Sequence, residues 1–191
     1  MNVSFDTELA FYEDCFSYTE ETSVSVLKSL TGNEHFEVKE FKFGEDYTYD
    51  HWVCSITVGL GEAKVYIKAH FDSRTARQVA AKAMGKGPEL IKTTVLIDFM
   101  REYLNQVMGD IKTRYQSDED EVSLPQITPS YDKGIGTQQD LDLNVKYWNV
   151  AWQQGAIVVG CYVIPTGDVT TLSAKEKSDV EIDADDCIDF L

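Results

Sequence analysis

An α+β fold is predicted by three features of this 191-residue chain: a long amphipathic stretch near its middle, β-rich runs on either side of it, and turn residues between those runs. The long stretch is Ile91 to Tyr115, IKTTVLIDFMREYLNQVMGDIKTRY. Leu96, Met100, Tyr103, Leu104, Val107 and Ile111 recur in it at the i, i+3, i+4, i+7 spacing of a helix with one buried side. On the opposite side, about 3.6 residues per turn stacks Asp98, Glu102, Asn105 and Gly109 into a polar ladder. Asn is a middling helix former, and Gly costs roughly 1 kcal/mol against Ala in a helix interior. Something other than helix propensity favours them here.

The remaining elements follow in chain order. Asp6 to Leu30 reads as one helix, straight or bent, with Leu9, Tyr12, Cys15, Phe16, Val26, Leu27 and Leu30 on one side and the Thr/Ser-rich stretch SYTEETSVS in its middle. Gly32-Asn33 closes it. From Tyr47 the chain turns β-rich, and Gly59-Leu60-Gly61 separates the runs HWVCSITV and AKVYIKAHF. A Gly-x-Gly that cradles phosphate leads into a helix; here a strand follows, so a hairpin turn is the preferred reading.

Asp72 and Ser73 cap a helix RTARQVAAKAM that Gly85 ends. Its apolar side is read as Ala76, Val79, Ala80, Ala83 and Met84. Arg74, Arg77, Lys82 and Lys86 are read as solvated charges rather than as a docking patch for an acidic surface. After Gly87-Pro88 the central helix runs to about Gln116. The segment VSLPQITPSYDKGIG, with two prolines and two glycines, is an irregular connection or an edge strand. LDLNVKYWNVAWQ alternates, with Leu141, Leu143, Val145 and Tyr147 on one side, which points to a sheet with one wet face. GAIVVGCYVIP is apolar almost throughout and should be central. The domain is expected to occupy residues 1–170, followed by a mobile acidic tail over 171–191 whose apolar end, Cys187-Ile-Asp-Phe-Leu, could dock.

A formal net charge of −16 opposes phosphate backbones and anionic membrane surfaces, so no nucleic-acid partner and no membrane insertion are expected. The N-terminus shows no basic segment followed by an apolar run, and eighteen apolar residues nowhere stand together, which argues for a cytoplasmic protein. Cys15, Cys54, Cys161 and Cys187, with His35, His51 and His70, lack the close spacing of metal ligands; reduced thiols filling apolar gaps are the preferred reading for the first three.

Two segments, Gly61 to Gly85 and Asp98 to Gly109 (DFMREYLNQVMG), together with the order of elements, resemble the CheX branch of the CheC/CheX/FliY chemotaxis phosphatases. A weaker echo lies in Val122 to Tyr131. The resemblance implies a two-layer CheC/CheX-like fold, long helices on a mainly antiparallel sheet. It implies a protein-aspartyl-phosphate phosphatase that dephosphorylates a CheY-like response regulator. The single Glu-x-x-Asn of this chain, Glu102 to Asn105, matches the one-site pattern of CheX-like members. By the same likeness Asn105 positions the attacking water, Glu102 pairs with the receiver's lysine, and Asp98 and Gly109 help in docking. The protein is expected to be a homodimer with no cofactor of its own, since Mg2+ belongs to the phosphorylated receiver.

Those residue types suit the reaction. An aspartyl phosphate already has a metal and a lysine around it, so hydrolysis chiefly needs a water held in line with the leaving oxygen. An Asn side chain accepts from and donates to that water without adding negative charge beside the phosphoryl group. Two departures stand out: Tyr103 inside the motif, which helical geometry aims at the buried side, and the acidic DEDE segment and tail. They leave open a non-catalytic module that binds a receiver or a flagellar-switch protein, and a purely structural dimerisation domain.

Overall fold

The computed structural model describes residues 3–33, 35–41, 52–115, 123–129, 144–153 and 155–169. Among them, three helices pack on a six-stranded antiparallel sheet. In chain order these are α1 (Val3–Thr31), β1 (Glu37–Glu40), β2 (Trp52–Leu60), β3 (Ala63–Phe71), α2 (Ser73–Ala83), a 3-10 turn (Pro88–Leu90), α3 (Thr93–Tyr115), β4 (Gln126–Pro129), β5 (Asn144–Trp152) and β6 (Gly155–Pro165). The strands lie in the order β1-β5-β6-β3-β2-β4, so β6 and β3 are central and β4 is an edge strand. The expected boundary near residue 170 and the tail 171–191 lie outside the described residues.

Helix α1 is continuous through the Thr/Ser-rich stretch. Buried Thr19, Ser23 and Thr31 donate to the carbonyl oxygens of Cys15, Thr19 and Leu27 at 2.7, 2.6 and 2.6 Å. Each hydroxyl is thus satisfied one turn back, and the polar residues can face the core. Gly32 ends the helix at φ 60°.

The β2–β3 hairpin is tighter than the sequence suggested. Leu60 pairs with Ala63, so Gly59 and Leu60 belong to β2 and only Gly61 and Glu62 turn; Gly61 takes φ 56°, open to glycine at no steric cost. Leu60 is buried in the core rather than lost in the turn. Asp72 caps α2 by accepting from the Thr75 amide at 2.7 Å. The buried side of α2 is Thr75, Ala76, Val79, Ala80 and Ala81; Met84, expected with them, lies past the helix end and is 40% exposed.

The helices cover one face of the sheet, where Cys54, Ile56, Val58, Val65, Ile67, Val159, Cys161, Trp148 and Val150 join the side chains of α1 and α3 in one core. The opposite face is not simply wet. Val145 and Tyr147 lie there, with Phe41, Val158, Tyr162 and Tyr66. The Tyr147 and Tyr162 hydroxyls are hydrogen-bonded, and Lys68 stands 4.7 Å from the centre of the Tyr162 ring. Gly160 pairs with Tyr147, and a Cβ there would strike the Tyr147 ring. The alternation of β5 was read correctly as a period, but its helix-facing apolar residues are Trp148 and Val150.

Candidate functional site

The site is a face of α3, and the core fixes which face that is. Leu96, Phe99, Met100, Tyr103, Leu104, Val107, Met108, Ile111 and Tyr115 are all buried. Rotating the helix by one residue, about 100°, would drive several of these into water. Cys54 of β2 reaches the Met100 carbonyl oxygen at 3.6 Å, and burial pushes its thiol up to about 12. Near the start of α3 the Arg77 guanidinium of α2 donates to the Thr93 hydroxyl at 3.2 Å. Near its end Arg114 forks onto both oxygens of Asp14 of α1 at 2.6 and 3.3 Å, and the Tyr115 hydroxyl donates to Asp14 at 2.5 Å. The Tyr18 ring lies 4.2 Å from the guanidinium carbon. That hydrogen bond to Asp14 raises Arg114 above its ordinary range, and burial does the same to the Tyr115 phenol. Helix α3 is therefore clamped to its neighbours at both ends.

On the outward face the structure places all four predicted residues. Asn105 is exposed, Glu102 is half-buried one turn before it, and Asp98 and Gly109 are exposed at either end of the row. Tyr103, between Glu102 and Asn105, is fully buried, as its departure from the motif required. Burial drives its phenol well above the ordinary range. Asp98 is engaged within its own chain, in an i, i+3 ion pair with Arg101 at 3.7 Å. Nothing lies within 4 Å of where a Cβ on Gly109 would stand, so the surface there is open. One contact escaped sequence reasoning: Gln106 Nε2 donates to Glu102 Oε1 at 2.9 Å. The i, i+4 spacing of a glutamate and a glutamine on one helix was the available signal.

Chemically, this arrangement presents an uncharged amide and a carboxylate one turn apart on the outward face of α3. It can orient a water and meet a cation in another molecule. Among the described residues no group of three or more His, Cys, Asp or Glu side chains is placed to hold a metal, and no helix is long and apolar enough to cross a membrane.

Three helices on this antiparallel sheet make a CheC/CheX-like fold. More particularly, residues 53–140, which include all of α3, match the family described as chemotaxis phosphatase CheX. The fold is similar to that of a CheC-like superfamily protein from Shewanella sp. PV-4, at TM-score 0.61 and 18% identity over 85% of this chain and 99% of that one. It is similar to chemotaxis protein CheX from Vibrio vulnificus, at TM-score 0.59 and 14% identity over 78% of this chain and 95% of that one. A third similar structure is the CheX–CheY–BeF3–Mg2+ complex from Borrelia burgdorferi, at TM-score 0.61 and 14% identity over 78% of this chain and 97% of that one. No curated protein sequence matches the chain.

Proposed function

We propose that this protein is a cytoplasmic protein-aspartyl-phosphate phosphatase acting on a CheY-like receiver. The observation that carries the reading is the disposition of one helical turn: Glu102 and Asn105 point outward while Tyr103 between them is sunk in the core. The match to the chemotaxis phosphatase CheX family spans that turn and supports it. In this reading α3 enters the receiver's phosphorylation pocket. The Asn105 amide accepts from and donates to the water that attacks phosphorus in line with the leaving aspartate oxygen. Glu102 meets the receiver's lysine, and Mg2+ arrives with the receiver, so the protein supplies position rather than covalent chemistry. Asp98 and Gly109 flank the contact: the first through its charge, the second by letting another backbone approach. A homodimer belongs to the same proposal.

The test is the decay of a phosphorylated CheY-like receiver with wild type and with Asn105→Ala, the mass of the same preparation reporting the dimer. Loss of a water-positioning group should slow catalysed decay about 100-fold, judged by the cost of removing a preorganised polar group in other active sites. Equal rates for the two proteins would remove the mechanism. Tight binding without faster decay would instead identify a receiver-binding module.

A further inference from the structure

Gln106 touches the candidate site, yet neither the Glu-x-x-Asn pattern nor the proposed chemistry uses it. It is half-buried, one turn beyond Glu102, and its side-chain amide donates to Glu102 Oε1 at 2.9 Å. A carboxylate can only accept, so the direction of this bond follows from chemistry. We propose that Gln106 is a positioning residue of the receiver-docking site, holding the Glu102 carboxylate in the orientation that accepts a cation from the partner; the proposal rests on the receiver reading above.

Two further observations support it. A glutamate side chain has several rotatable bonds, and freezing them on docking costs affinity unless the free protein has already done so. The Gln106 bond does so by one oxygen and leaves Oε2 for the incoming ammonium group. The restraint is also electrically neutral. The neighbouring cation, Arg101, is drawn to Asp98 at 3.7 Å. Among the described residues no ion pair involves Glu102. Its charge is thus oriented without being neutralised, as a group meant for a partner's lysine requires.

The experiment uses the full chain, a phosphorylated CheY-like receiver, and the same receiver loaded with beryllofluoride and Mg2+. Gln106→Leu keeps a good helix former but removes the donor. It should raise KM for the phosphorylated receiver, and Kd for the beryllofluoride form, about threefold, while kcat at saturation stays near wild type. In a Glu102→Ala background the same substitution should have no effect, because the group it positions is gone. Gln106→Met repeats the measurement should leucine disturb the fold. Unchanged KM and Kd, or an effect that persists without Glu102, would overturn the proposal. Wild type that leaves receiver decay unchanged, or is matched by Asn105→Ala, refutes the phosphatase reading, and the beryllofluoride Kd then still tests Gln106. A chain that binds no receiver at all overturns both.

Discussion

The two sides of α3 obey different rules within the same 23 residues. The inward side, from Leu96 to Tyr115, is chosen for volume and apolarity, and any well-packed replacement could serve. On the outward side, Asn105 and Gly109 are poorer helix formers than the alternatives, and Asp98, Asn105 and Gly109 are exposed rather than packed. One turn holds both: Tyr103 fills the core and thereby aims Glu102 and Asn105. The comparison teaches that the outward placement of Glu102 and Asn105 is set by the buried side of the same helix, and that damage to either side should be separable by measurement.

The largest separation is expected at Tyr103. Truncating a fully buried aromatic side chain leaves a cavity and typically costs about 3–5 kcal/mol. Tyr103→Ala should therefore lower stability by that amount in chemical denaturation, whereas Asn105→Ala should change it by less than about 0.5 kcal/mol and act on turnover alone. A destabilised Asn105→Ala, or an unaffected Tyr103→Ala, would break the division between the two sides.

Cys54 sharpens it from the sheet side of the same core. Its thiol is fully buried against the Met100 carbonyl and is raised from 9.0 to about 12. The unfolded chain then loses this proton before the folded one does. The contribution is wholly present below pH 9 and is lost as pH rises towards about 12. By pH 10 the loss from this one thiol amounts to about 1.4 kcal/mol, one pH unit past its unfolded value. Stability measured between pH 8 and pH 10 should fall by that much less in Cys54→Ala than in wild type; parallel curves would show that the thiol is not held apart from solvent.

The same contrast explains what could be read from the chain and what could not. The buried stripe of α3 was legible because core packing imposes the 3.6-residue period on composition, and β6 was legible because a central strand is apolar on both faces. The outward placement of Asp98, Glu102, Asn105 and Gly109 was legible from the same period, and Asn105 and Gly109 also stood out by their cost to the helix. Strand β1, Glu37–Glu40, was not legible: EVKE has no strand composition, and its state comes from pairing with β5, as Glu37 opposite Ala151. Nor does alternation say which face meets the helices, so Val145 and Tyr147 read as the core side although Trp148 and Val150 take that role. Gln106 was hidden for a further reason. A glutamine on a half-exposed helix face is ordinary, and its i, i+4 spacing from Glu102 allows the bond without requiring it; the rotamer decides.

The smallest effect bears most directly on why the outward side is built as it is. Gly109 sits in the interior of α3 with open space around the position of a Cβ, so alanine there meets no obstacle. Replacing an unhindered helical glycine by alanine should stabilise the protein by about 0.5–1 kcal/mol. If the glycine has no role beyond the helix, Gly109→Ala should be a more stable protein with unchanged receiver affinity. If it lies where a receiver's backbone must approach, the same substitution should raise the melting temperature and weaken binding together. The second outcome is the one expected here: a side chain that helps the isolated helix and harms the complex marks the outward face as selected for contact. Thermal denaturation and receiver binding measured on the same preparation decide between them.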